Sequence, residues 1–142
     1  MSRPAQWPEE AAREWDVIEV LSHEAALDAC FIGAIRRAEN GEESKAFGIL
    51  TVHAPTFEDQ CRACCNTICR YLSEYGRNPV QYIVVPRTLT PLYVGRRLLY
   101  TTPFIEYAAS RYAPVRAGND PHNLNANWIA NVSQWYRRLV GI

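Results

Sequence analysis

The stretch Ala34-Ile-Arg-Arg-Ala-Glu39-Asn-Gly41, followed after three residues by Lys45-Ala-Phe-Gly-Ile-Leu-Thr51, decides how the chain is read. Its first half ends a helix. Leu27, Phe31 and Ile35 recur at i+4 and give a helix over about residues 23–39 one apolar side, while Asn40-Gly41 suits a left-handed C-cap. The second half, residues 46–52, is short, apolar and β-prone, is bounded by Pro55, and predicts a strand. Glu39 continues the apolar stripe by one further i+4 step, which places it at the edge of the core. Partial desolvation and the negative end of the helix dipole both favour its neutral form there. Arg36 would act in the opposite direction if it turned toward Glu39, and periodicity alone also admits a solvated helix-end residue.

Working outward, a first helix is expected over residues 8–21, with Pro8 in its first turn, and Ser22 is expected to cap the second. Downstream, Thr56 with Asp59 resembles a capping box that opens a helix stopping near Gly76. Phe57, Cys61, Cys64, Cys65, Ile68, Leu72 and Tyr75 then form its inner face. Four of the five cysteines fall between Cys61 and Cys69, yet this period reads three of them as small core residues. A zinc site would need a second ligand group, and His23, His53 and His122 are scattered singly, so no metal or other cofactor is expected.

Residues 77–100 carry mixed signals: Tyr82-Ile-Val-Val85 predicts a strand, whereas Pro79, Pro86, Pro91 and Gly95 interrupt longer elements. Thr102-Pro103 reads as an N-cap and first helical residue, with Ile105, Ala108, Ala109 and Tyr112 facing inward before Pro114. Asp120-Pro121 repeats that start signal, with Asp120 a cap first. Leu124, Trp128, Val132, Trp135 and Leu139 mark the inner face of a terminal helix closed by Gly141. The sum is about five helices and a small β element, an α+β arrangement that is mainly α, in one domain over residues 1–142.

Composition excludes several function classes. With 15 basic and 15 acidic residues the formal charge is zero, so no nucleic-acid footprint stands out. No run approaches a membrane span, and the N-terminal segment lacks the apolar core of a signal peptide. The expectation is synthesis in the cytoplasm without membrane insertion.

The Glu39-Asn-Gly turn and the Phe47-Gly48-Ile49 that follows resemble the lysozyme-like superfamily, in which a helix ends in a catalytic Glu and leads into a small β-lobe. The Glu-Ser-Gly turn and Phe-Gly-Ile strand of the glucosaminidase branch are similar, and Gly48-Ile-Leu-Thr51 is similar to the Gly-Leu-Met-Gln strand of lytic transglycosylases. Residues 100–112 resemble the helix after the glucosaminidase Tyr-x-Ser motif, and Asn119-Asp120-Pro121 resembles the end of their Tyr-Ala-Thr-Asp-Pro loop. The family Tyr of that loop falls on Ala117 here, so its role is missing or passes to Tyr107 or Tyr112.

This resemblance implies cleavage of peptidoglycan glycan strands by a muramidase, glucosaminidase or lytic transglycosylase, with Glu39 as general acid. The source would be a phage endolysin or virion-associated lysin, acting at the cell wall or in a phage particle beside other virion proteins. Gly48, Thr51, Tyr93, Tyr100, Tyr107, Tyr112 and Asn119 would line the substrate groove. Glu42, Glu43, Glu58 and Asp59 are candidates for a second carboxylate, with turn and cap roles explaining them equally well. The competing reading is a non-catalytic structural or wall-binding protein that keeps the fold, because a fold does not guarantee its chemistry.

Overall fold

Trp15, Ile18 and Leu21 bury one side of α1 (Ala12–Glu24), which a 3-10 turn at Glu9–Ala11 leads into. The computed structural model describes residues 3–49, 53–76, 82–86, 96–113 and 127–142. The α1 helix continues through Ser22, correcting the expected cap there. It ends on Ala26 in the left-handed region (φ 57°), with the Ala26 and Leu27 amides donating to the carbonyls of His23 and Ser22. That is a Schellman closure made without glycine. Asp28 is the cap of α2 (Ala29–Glu39): its carboxylate accepts from the Cys30 amide at 3.0 Å. Asn40 closes α2 in the left-handed conformation, as its sequence implies.

Residues 46–49 do not form the expected strand, and residues 50–52 lie outside the described residues. Gly48 sits at φ 71° in a turn, its amide bonded to the Lys45 carbonyl at 3.0 Å, and this backbone conformation breaks a strand. Thr56 does cap α3 (Phe57–Tyr75), its hydroxyl accepting from the Asp59 amide at 3.0 Å. Cys61, Cys64, Cys65, Ile68 and Leu72 are buried along that helix as the period requires. The β element instead follows α3: β1 (Tyr82–Pro86) pairs antiparallel with β2 (Arg96–Tyr100), Tyr82 opposite Tyr100. α4 (Thr102–Tyr112) is capped by Thr101 rather than Thr102, and α5 (Trp128–Val140) ends on a left-handed Gly141. The expected start signal at Asp120-Pro121 lies outside the described residues.

Among the described residues there are five α-helices and one two-stranded sheet, a mainly helical α+β arrangement. The buried apolar side chains form one cluster from Trp7 to Val140. Its centre is the packing of α2 on α5. Gly33 permits that approach, because a Cβ there would lie 3.0 Å from Trp15 and 3.2 Å from both Leu139 and Trp7. A polar triangle ties the same elements at the other end of α2. Tyr136 Oη donates to Asp28 Oδ2 at 2.6 Å, the Asp28 amide donates to Tyr100 Oη at 3.1 Å, and the Tyr100 amide donates to Tyr136 Oη at 3.1 Å. No described helix is long and apolar enough to cross a membrane.

Candidate functional site

Because Glu39 is the last residue of α2 and lies on its inward stripe, its side chain points at the start of α5. There Trp128 Nε1 donates to Glu39 Oε1 at 2.9 Å. The other carboxyl oxygen faces Gly48, where an added Cβ would lie 2.5 Å from Oε2 and 2.7 Å from Cδ. Burial pushes the Glu39 carboxyl above the ordinary carboxylate range, and the Trp128 hydrogen bond opposes that rise in part. Arg36 does not join it. The guanidinium turns the other way and grips Glu14, Nε to Oε1 at 2.8 Å and Nη2 to Oε2 at 3.2 Å.

Three further side chains fix the backbone that carries Gly48. Arg36 Nη1 donates to the carbonyls of Gly41 and Ala46, closing the turn after α2. Gln60, fully buried on α3, bonds to Phe47, Ile49 and Ala54. Tyr112 Oη donates to the Phe47 carbonyl, and its ring stacks on Trp128 at 5.3 Å. Burial pushes the Tyr112 hydroxyl well up, and the Cys64 thiol beside it as well, so both stay neutral where Glu39 titrates.

Of the residues nominated from sequence, Gly48 and Tyr112 come together around Glu39. Tyr100 does not line a groove: it is 4% exposed, its ring edge-on to Phe31 and Phe104. Tyr107 packs on Tyr71 and Tyr75 and donates to Glu74 at 2.9 Å, at the far end of α3. Thr51, Tyr93 and Asn119 lie outside the described residues. Among the candidate second carboxylates, Glu58 pairs with Arg62 at 3.2 Å, and Glu42, Glu43 and Asp59 are exposed. A pocket of about 350 Å³ around Glu14 and Arg36 is lined by Glu43 and Phe57 but not by Glu39.

Sequence reasoning missed Trp128 and Gln60 as site residues. Trp128 reads as a core residue, and it is one, yet its single polar atom faces Glu39. Gln60 immediately precedes the apolar Cys61, and a polar residue at full burial shows only in three dimensions. Among the described residues no group of three or more His, Cys, Asp or Glu is placed to hold a metal. The Cys65 hydrogen bond and burial push the Cys61 thiol up. Comparison with protein-family models, curated proteins and solved structures returns no match.

Proposed function

We propose that the chain cleaves the glycan strands of bacterial peptidoglycan on a lysozyme-like scaffold, with Glu39 as general acid. The observation that carries this is the Glu39–Gly48 approach. Glycine at position 48 lets the carboxyl pack against the turn that follows α2, since a Cβ there would lie 2.5 Å from Oε2. A glycosidic oxygen brought within hydrogen-bond distance of the carboxyl would take its proton as the bond to the anomeric carbon breaks, with water or a substrate hydroxyl then bonding to that carbon, while Trp128 holds Oε1 and so orients the carboxyl. A carboxyl whose pKa is raised by burial keeps that proton at higher pH than an exposed one. The protein would be made in the cytoplasm and act at the cell wall or within a phage particle, as an endolysin or virion-associated lysin.

A second reading has its own support. Trp128 and Gly48 engage both carboxyl oxygens, so Glu39 can also serve as a tie between α2, the following turn and α5 in a non-catalytic wall-binding protein. Glu39→Gln separates the two, because the amide carbonyl still accepts from Trp128 but the acidic proton is gone. On the catalytic reading, clearing of permeabilised Gram-negative cells and release of soluble muropeptides fall by at least about 10²-fold while folding is retained. Near wild-type lysis by Glu39→Gln overturns the assignment. Wall binding by the wild type without muropeptide release establishes the second reading.

A further inference from the structure

The deepest polar side chain near the site is Gln60, 0% exposed on α3 and bonded at both ends of its amide. Its Oε1 accepts from the amides of Phe47 at 3.1 Å and Ile49 at 3.3 Å, and its Nε2 donates to the carbonyls of Ile49 at 2.9 Å and Ala54 at 3.2 Å. The two amides flank Gly48, the residue that meets the Glu39 carboxyl. A strand would satisfy such backbone groups by pairing with another strand. Here one side chain replaces that partner, so residues 47–49 keep a left-handed glycine in the middle and, with Ala54, still stay anchored to a helix.

We propose that Gln60 is the positioning residue of the Glu39 site, holding Gly48 against the carboxyl and keeping water from it. This deepens the glycosidase reading and rests on it for its catalytic meaning, but the physical effect is on the carboxyl itself. The groups facing Glu39 among the described residues are Gly48 from the turn, Cys64 from α3, Tyr112 from α4 and Trp128 from α5. Cys64 and Tyr112 stay protonated through the acid range, and Arg36 is committed to Glu14. A change in Glu39 titration on altering Gln60 therefore reports the loosening of residues 47–49 rather than a neighbouring charge.

The test uses the full chain with carbon-13-labelled glutamate, following the Glu39 carboxyl by NMR as pH is varied, with urea unfolding measured in parallel. Gln60→Met keeps the volume and loses the hydrogen bonds to Phe47, Ile49 and Ala54; the Glu39 midpoint should fall by about one pH unit as water reaches the carboxyl. Muropeptide release should fall about tenfold or more as its geometry slackens. Leu72→Ala, a buried change three turns along α3, should lose comparable stability and leave the midpoint where it is. A folded Gln60→Met with the wild-type midpoint overturns the proposal. Should that variant not fold, amide exchange in the wild type decides: Phe47 and Ile49 protected like the α3 amides uphold it, and open-loop exchange overturns it. A midpoint that falls in Gln60→Met while the wild type releases no muropeptides upholds Gln60's hold and rejects the glycosidase reading; lysis with an unmoved midpoint does the reverse.

Discussion

Replacing Trp128 by Phe removes the indole N–H and keeps a six-membered aromatic ring, which makes it the sharpest probe of how Glu39 is held. The lost bond is Nε1–H to Oε1 at 2.9 Å, and it favours the carboxylate form. A hydrogen bond to a charged group contributes about 1.5–3 kcal/mol when buried. Glu39 is only half-buried, so the lower end applies, and at about 1.36 kcal/mol per pH unit the midpoint should rise by about one unit. The consequence for stability has a definite sign. The folded-state pKa of Glu39 already lies above the ordinary value of 4.5, so folding binds this proton more tightly than the unfolded chain does. The resulting stabilisation is complete below the unfolded value and is lost as pH rises through the folded one. In Trp128→Phe that loss is larger and extends to higher pH. The smaller ring adds a pH-independent penalty of about 1–2 kcal/mol, which the comparison across pH removes. Urea unfolding at closely spaced pH values, with carboxyl NMR, measures both quantities, and Glu39→Gln supplies the baseline without the titration. A midpoint in Trp128→Phe at or below that of the wild type would refute the reasoning.

Gly48→Ala should lose about 1–3 kcal/mol of stability in urea and most lytic activity, because the new methyl meets Oε2 at 2.5 Å and alanine is strained at φ 71°; wild-type activity would show that residue 48 does not abut the carboxyl. Asp28→Ala should cost about 2–4 kcal/mol, since it removes both the α2 cap and the acceptor for the buried Tyr136 hydroxyl. Thr56→Ala removes one exposed cap bond and should cost about 1 kcal/mol, so equal losses in urea unfolding would reject the role given to the Asp28–Tyr136–Tyr100 triangle.

The helices were legible wherever periodicity and cap chemistry agreed. The α3 stripe from Phe57 to Tyr75, its Thr56 cap, and the Asn40 and Gly141 stops all follow from local residues acting locally. The α1–α2 boundary was not, for a specific reason. It closes on Ala26 in a left-handed conformation that alanine rarely adopts, and the signal that was present, Asp28 two residues before Cys30, competed with a plausible Ser22. Residues 46–49 illustrate the complementary failure. Their apolar, β-prone composition reflects burial of Ala46 and Phe47, and burial by itself does not distinguish a strand from a turn pinned by a side chain. β2 was missed because Arg96-Arg-Leu-Leu-Tyr100 neither alternates nor is β-branched, and its register depends on pairing with β1.

The candidate site divides along the same physical line. That Glu39 turns inward agrees with its own helix, whose i+4 stripe it continues, although the same spacing also admits a solvated helix end. What surrounds it comes from elsewhere in the chain: the indole of Trp128 is 89 residues away, and the Gln60 amide acts through the backbone of residues 47 and 49. Neither residue type signals such a role in sequence, because a tryptophan on an apolar stripe and a glutamine beside a cysteine read equally well as filler. The direction of the Glu39 pKa shift follows the same division. Desolvation, the larger influence, was expected from the stripe, whereas an opposing influence was considered for Arg36 only if it turned toward Glu39, and the one present belongs to Trp128. Arg36 contributes instead through geometry: by binding Glu14 and the carbonyls of Gly41 and Ala46, it closes the turn that returns Gly48 to the Glu39 carboxyl.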